Sequence, residues 1–328
     1  MGHHTSVKKY TEEDLFRMVR LWLPEENVPK RLRVKDTSDF FRVDYDDIVM
    51  LGGTPYLVRN NERERRFGVE DEPKFWVKRA VNLVTGRVKI LKWTFREKFR
   101  GRVGNLVFDC VRSPLKEARI LNIVQGRPDF MHGETVQDSA GHLLRIIDYI
   151  QGKTLPEIVR AMTPNHEDFF RDHYPGLLSE FISTVEAIRF LHDKGEKHGD
   201  IRRDHLIRDS ETGRYRWIDF DYNYRHRASK FGYDLFGLGN VLIFITGGGD
   251  ITVQALSMEA PEKLAGLSGE DVNIIFHNRV ANLKKIYPYI PEFLNRILMH
   301  FAAGAKVYYE STGELLEDLK KARDMLPG

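Results

Sequence analysis

His198-Gly199-Asp200-Ile201-Arg202-Arg203-Asp204-His205-Leu206-Ile207 is the stretch on which the reading of this 328-residue chain turns. It follows a run of apolar residues, among them Leu177, Phe181, Ile182, Val185, Ile188 and Leu191. Their three- and four-residue steps predict a long buried helix ending near Gly195. The stretch closes on Leu206-Ile207, a short strand-like piece. A second piece, Tyr215 to Phe220, follows a Glu211-Thr212-Gly213 turn. Asp200 therefore lies on a loop between a helix and a strand pair, and Asp219 at the end of the second piece, between Ile218 and Phe220. Taken singly, an aspartate in a turn is more often a cap or a turn former than a catalyst.

Upstream, the chain changes character twice. Thr11 to Leu23 spaces Leu15, Met18, Val19 and Trp22 as an amphipathic helix behind a Thr11 cap. From Asp47 the pattern turns to strands. Ile48 to Leu51, a Gly52-Gly53 turn and Tyr56 to Val58 predict a hairpin, and the charged stretch Asn60 to Pro73 reads as a surface loop. Phe75 to Val77 and Val88 to Lys92 predict further strands, Ser113-Pro114 starts a helix through Leu121, and Leu143 to Ile150 is a strand. Downstream of Asp234 everything reads as helices and loops. The expected class is α+β, with a helix-bearing extension at 1–45, a small β-rich lobe at 46–150 and a larger helical lobe at 151–328.

Composition excludes several classes of function. With 41% hydrophobic and 30% charged residues, the chain can bury a core and is neither disordered nor membrane-embedded in type. Lys+Arg 51 against Asp+Glu 48 is too balanced for a protein that grips nucleic acid mainly by neutralising phosphates. The single cysteine, Cys110, excludes an intrachain disulfide and a cysteine-rich zinc site, and fits a reducing, cytoplasmic compartment. The longest strongly apolar run, Val241 to Ile245, is far shorter than the ~20 residues of a membrane-spanning helix. At the start, Met1-Gly2-His3-His4-Thr5-Ser6 matches the loose myristoylation pattern through Gly2 and Ser6.

Phosphoryl transfer needs a cation for the donor phosphates, carboxylates for a divalent metal, and a carboxylate beside the attacking hydroxyl. Lys92, Asp219 and Asp200 supply one candidate for each. With these residues in the chain order Lys92, Asp200, Asp219, the chain resembles the protein kinase superfamily from about Asp47 to Leu319. Ala80 to Lys92 resembles the second and third strands of the small lobe, ending on the phosphate-anchoring lysine. The resemblance implies that Lys92 holds the α- and β-phosphates of ATP and that Glu117 pairs with Lys92. It further implies that the segment through Asp148 and Ile150 is the hinge whose backbone reads adenine. His198 to Ile207 aligns with the catalytic loop without a gap, which makes Asp200 the base and sets Arg202 against the γ-phosphate. Ile218-Asp219-Phe220-Asp221 takes the place of the metal-binding triplet, with Asp219 on Mg²⁺. The helix from Asp234 resembles the central large-lobe helix, and Asp234 there would brace the catalytic loop.

Four departures bear on activity and substrate. His205 stands where the family has an asparagine metal ligand, and imidazole suits Mn²⁺ better than Mg²⁺. No Gly-x-Gly-x-x-Gly lies between the first two strands. That stretch offers only Phe67-Gly68-Val69, with Arg63, Arg65 and Arg66 as alternative phosphate clamps. Gly199 replaces the arginine that pairs with a phosphorylated activation loop in regulated kinases, which predicts constitutive competence. The stretch from Asp221 to Tyr233 is short and carries an Arg225-His226-Arg227 cluster as a weak anion lead. The leading expectation is an ATP- and Mg-dependent phosphotransferase of Ser/Thr protein kinase-like type. The alternatives are a small-molecule kinase of the aminoglycoside or choline type and a pseudokinase that acts as a binding module. Expected partners are ATP and a protein or small-molecule hydroxyl, with no nucleic acid and no membrane span.

Overall fold

The structure, a computed structural model, describes residues 10–64, 72–103, 106–138, 140–162, 165–225 and 229–326. Gly2 and Ser6, Arg65 and Arg66, Phe67-Gly68-Val69 and His226-Arg227 lie outside the described residues. In chain order the elements are α1 (Glu12–Trp22), β1 (Arg33–Lys35), β2 (Asp47–Leu51), β3 (Thr54–Glu64), β4 (Glu72–Asn82), β5 (Val88–Trp93), β6 (Glu97–Val103), β7 (Leu106–Arg112) and α2 (Lys116–Ile123). They continue as β8 (Gly133–Gln137), β9 (Leu143–Asp148), β10 (Gly152–Thr154), α3 (Leu155–Arg160), α4 (His166–Asp172) and α5 (Tyr174–Asp193). The last are β11 (Leu206–Asp209), β12 (Tyr215–Trp217), β13 (Tyr222–Arg225), α6 (Gly232–Thr246), α7 (Val253–Glu259), α8 (Pro261–Leu264), α9 (Glu292–Met299) and α10 (Thr312–Met325). Two units divide them: one is Met1–Phe95, Leu121–Gly126 and Met131–Ile150, the other Arg96–Ile120, Arg127–Phe130 and Gln151–Gly328.

The first unit is a seven-stranded sheet in the order β1-β2-β3-β4-β5-β9-β8. Gly52 and Gly53 make the β2–β3 turn at φ 56° and 78°. A two-residue turn that follows strand twist requires positive φ at both positions, which glycine adopts without a Cβ penalty. Thr11 caps α1 in a capping box with Asp14, and the helix buries Leu15 and Val19 against Ile48, Leu57, Val81 and Leu83. Val49, Leu51, Val58, Leu91, Leu144 and Ile146 form a second core. With β1 paired in parallel to β2, residues before Asp46 add a helix and an edge strand to this unit. The charged stretch after Asn60 differs from the loop expected. Pairing of β3 with β4 runs out to Glu64 and Glu72, and polar side chains at 61 and 62 find partners on β4. Arg79 Nε lies 2.8 Å from Glu62 Oε1, and Lys78 Nζ donates to Asn61 Oδ1 at 2.7 Å.

Helices dominate the second unit. Leu178, Val185, Ile188 and Leu191 of α5 are fully buried, as their spacing predicted, and α10 packs on this helix. Arg323 Nε donates to Ser179 Oγ at 2.7 Å. Two small sheets accompany the helices, β10-β11-β12 and β13-β7-β6. The β6–β7 hairpin is the largest element not anticipated from sequence, and α2 begins at Lys116, three residues beyond Ser113, after a turn. Among the described residues no helix is long and apolar enough to cross a membrane.

Candidate active site

The stretch from His198 to Ile207 and Asp219 both lie in the second unit, and Asp234 in the first turn of α6 organises the stretch. Its Oδ2 accepts the His198 N–H at 2.8 Å and His192 Nε2 at 3.0 Å, and its Oδ1 accepts the Gly199 N–H at 2.8 Å. Burial alone would raise the pKa of this inaccessible carboxyl, but the bond from His192 and the neighbouring donors hold it below the ordinary value. His198 is equally buried and accepts the Asp200 N–H on Nδ1 at 3.3 Å. Burial pushes its pKa down to about 3, so the ring is neutral, edge-on to Trp217 and Phe220.

A 3₁₀ turn over Arg203–His205 brings the imidazole of His205 back to Asp200. Its Nδ1 lies 2.8 Å from the Asp200 carbonyl oxygen. A carbonyl can only accept, so Nδ1 carries the proton and donates. Nε2 then faces Asp219 Oδ2 at 3.7 Å. A bare imidazole nitrogen opposite a carboxylate is repulsive unless a proton or a metal cation lies between them, and either one puts positive charge there. One ligand atom from each of Asp200, His205 and Asp219 falls within 4.8 Å of the others. Asp200 keeps 19% of its side chain accessible, yet protein surrounds it closely enough that burial raises its pKa against the pull of His205 and Arg202. Arg202 spends its fork on Asp204, with Nε to Oδ1 at 3.0 Å and Nη2 to Oδ2 at 2.6 Å.

Asp219 has φ 68°, and Asp46 is the only other described residue with a side chain at positive φ. Such a conformation costs about 1–3 kcal/mol and persists only where neighbours impose it. Phe220 beside it is fully buried, edge-on to Phe130. Beyond Phe220 the chain becomes β13 and pairs with β7. Arg112 Nη2 donates to Tyr222 Oη at 2.7 Å while its Nε stands 3.5 Å from Asp221 Oδ2. Lys197 Nζ donates to the Tyr224 carbonyl at 2.6 Å, and Tyr224 Oη accepts the Asp234 N–H at 3.1 Å. The expected short segment after Asp219 is thus a strand held from both sides. Its approach explains Gly199: at φ 85°, a Cβ there would lie 1.7 Å from the Tyr222 carbonyl oxygen.

Glu117, in the first turn of α2, is fully buried. One of its oxygens lies within 4.8 Å of ligand atoms of Asp219 and of Asp221, a carboxylate cluster the sequence did not announce. The remaining candidates belong to the first unit. Lys92 is 5% exposed, in register with Val77 on β4 and Arg145 on β9, and is therefore no solvated strand-end lysine. Asp148 pairs with Lys89 and gives its N–H to the His132 carbonyl at 2.8 Å. Ile150 is buried. Sequence reasoning overlooked Arg112 and Lys116. A strand signal for Arg112 was present in the β-branched and aromatic run Val107-Phe108-Asp109-Cys110-Val111 that leads to it. Lys116, directly before Glu117, carried none.

No protein-family model matches the chain. Over 109 residues, 33% of the chain, it is 28% identical to a putative ribosomal protein S6 kinase alpha-2 of Caenorhabditis elegans, and that stretch is 13% of the nematode protein. Over 110 residues, 32% of the chain, it is 26% identical to serine/threonine-protein kinase 1 of African swine fever virus, covering 36% of the viral protein. The chain thus matches a minor part of both curated relatives. A solved structure, the PknI kinase domain of Mycobacterium tuberculosis, superposes with a TM-score of 0.46 at 15% identity, covering 83% of this chain and 97% of that one.

Proposed function

We propose that this protein kinase-like chain is a phosphotransferase that binds ATP with a divalent metal and moves the γ-phosphate to a hydroxyl, foremost that of a serine or threonine in a protein. The observation that carries the reading is the convergence of Asp200, His205 and Asp219 on one small volume, with Nε2 of His205 facing Asp219 Oδ2 at 3.7 Å. Two carboxylates and one imidazole fit Mn²⁺ well and Mg²⁺ acceptably. A metal held by Asp219 and His205 would neutralise charge on the β- and γ-phosphates. Asp200 orients the acceptor hydroxyl and takes its proton as oxygen bonds to the γ-phosphorus and the bond from that phosphorus to the β–γ bridging oxygen breaks, releasing ADP. Its raised pKa makes it a better proton acceptor than an ordinary carboxylate. Lys92 is assigned to the α- and β-phosphates and Glu117 to orienting Lys92. Arg202 is assigned to the γ-phosphate, for which it must share its fork with Asp204. The backbone about Asp148 and Ile150 is assigned to adenine.

Calorimetry of a non-hydrolysable ATP analogue, with Mg²⁺, Mn²⁺ or no metal, tests the nucleotide site. Metal-dependent binding is expected. Absence of binding under every condition would replace this reading by a pseudokinase that works through partners. Asp200→Ala is expected to lower transfer from labelled ATP by at least about a hundredfold, and full activity in that variant would remove Asp200 from the mechanism. His205→Asn should keep or raise the Mg²⁺-supported rate and lower the preference for Mn²⁺, because an amide oxygen replaces nitrogen. Loss of activity with both metals in a folded variant would show that His205 does something an amide cannot. A second reading, the same chemistry on a small-molecule hydroxyl, draws on β13. Residues 222–225 are taken up in pairing with β7 and so do not serve as an extended peptide platform. Robust turnover of a metabolite without any protein phosphorylation would select it.

A further inference from the structure

Lys116 is 1% exposed, and no step above uses its ammonium. Nζ donates to the His198 carbonyl at 2.6 Å and to the Phe220 carbonyl at 2.8 Å. These two carbonyls belong to different loops. One lies two residues before Asp200, the other directly after Asp219. The ammonium also lies close to Gly199, where a Cβ would stand 3.1 Å from Nζ. Burying a lysine is unfavourable, and burial is the main reason its pKa falls to about 8. The Ser113 N–H, three residues ahead of Lys116, donates to the Asp221 carbonyl at 3.2 Å. The link from the end of β7 into α2 therefore holds three features of the metal-binding segment: Lys116 the Phe220 carbonyl, Ser113 the Asp221 carbonyl and Arg112 the Asp221 side chain.

Resting on the phosphotransferase reading, we infer that Lys116 is a positioning residue for phosphoryl transfer, the internal cation that locks the Asp200 loop to the Asp219 segment. Where regulated kinases use the arginine at the position of Gly199 and an added phosphate to set this geometry, this chain uses a lysine from α2 and two backbone carbonyls. The lock acts on the spacing of two carboxylates, so its loss lowers the rate of the chemical step more than the binding of nucleotide. Misplacing reacting groups by about 1 Å costs on the order of a hundredfold in rate.

The test uses the full chain and labelled ATP, counting phosphate on the chain itself, on casein and as free phosphate, beside calorimetry of the ATP analogue. Lys116→Met is expected to lower kcat by about a hundredfold while the analogue affinity changes by less than about threefold. Lys116→Arg, which keeps a cation able to donate to both carbonyls, is expected to recover at least about tenfold of the lost rate. Unchanged kcat in a folded Lys116→Met overturns the inference, and so does a parallel fall of kcat and affinity that Lys116→Arg does not reverse. If Lys116→Met does not fold, Lys116→Gln, whose amide can still donate to a carbonyl, decides by the same split. Failure of both to fold makes Lys116 a tie for the fold alone and also overturns it. A wild-type chain that neither binds the analogue nor transfers phosphate defeats the phosphotransferase reading itself. A wild type that transfers beside an unaffected Lys116→Met defeats the role of Lys116 alone.

Discussion

Replacing Asp219 with asparagine is expected to lower phosphoryl transfer by at least roughly a thousandfold, about 4 kcal/mol of transition-state stabilisation, and to abolish the metal dependence of nucleotide binding. The substitution removes one negative charge and leaves shape and size almost unchanged. It also spares the backbone, because Asp219 sits at φ 68° and asparagine tolerates the left-handed region at least as well as aspartate. The partners that fix the segment are untouched, namely Phe220 against Phe130, β13 against β7, and the Lys116 ammonium on the Phe220 carbonyl. A loss of activity therefore cannot be charged to unfolding, and thermal melting should give the wild-type curve. The carboxylate that faces Nε2 of His205 at 3.7 Å becomes a neutral amide. Calorimetry with Mg²⁺ and Mn²⁺, wild type beside Asp219→Asn, reads the outcome. Metal-dependent binding of undiminished affinity in the variant would remove Asp219 from the metal site and, with it, the main support for the phosphotransferase reading.

Sequence carried the main elements where one physical signal dominated locally. The apolar stripe of α5, the Gly52-Gly53 turn and the Thr11 cap each act through residues within one turn of helix or one hairpin, and each is found where the spacing put it. Bounds slipped where a competing interaction was non-local. Ser113-Pro114 looked like a helix start, but the Ser113 N–H goes to the Asp221 carbonyl, and the helix waits until Lys116. The stretch after Asn60 looked solvated because its charges were counted one by one. Pairing of Glu62 with Arg79 and of Asn61 with Lys78 across strands makes them compatible with a ladder. Of the candidate site, Asp200, His205 and Asp219 were legible because they lie within twenty residues on a recognisable loop and strand pair. Neither the burial of Glu117 beside Asp219 and Asp221 nor the reach of Lys116 to two loops was legible. Both depend on where α2 docks, and no local pattern encodes that.

Adding a methyl group at Gly199 is the other change expected to have a large effect. Gly199→Ala should destabilise the second unit by roughly 3 kcal/mol or more and abolish transfer. Two separate costs combine. The first is conformational: at φ 85° an L-residue with a Cβ pays about 1 kcal/mol or more. The second is steric and cannot be relieved by a rotamer, because the atom met at 1.7 Å is the backbone oxygen of Tyr222, fixed in the ladder between β13 and β7. Gly213 separates them, since it has φ 70° with nothing within 4 Å of a would-be Cβ. Gly213→Ala is therefore expected to show the first cost without the second. Urea unfolding of both variants measures the difference, and equal losses of stability would mean that β13 does not press on the catalytic loop as described. A larger loss at Gly199 carries a consequence for regulation. The arginine that regulated kinases place here cannot be restored while β13 pairs with β7, so a phosphate-reading arginine and this strand are mutually exclusive. With the segment after Asp219 drawn into the sheet of β6 and β7, the Tyr222 carbonyl occupies the space that any side chain at residue 199 would need.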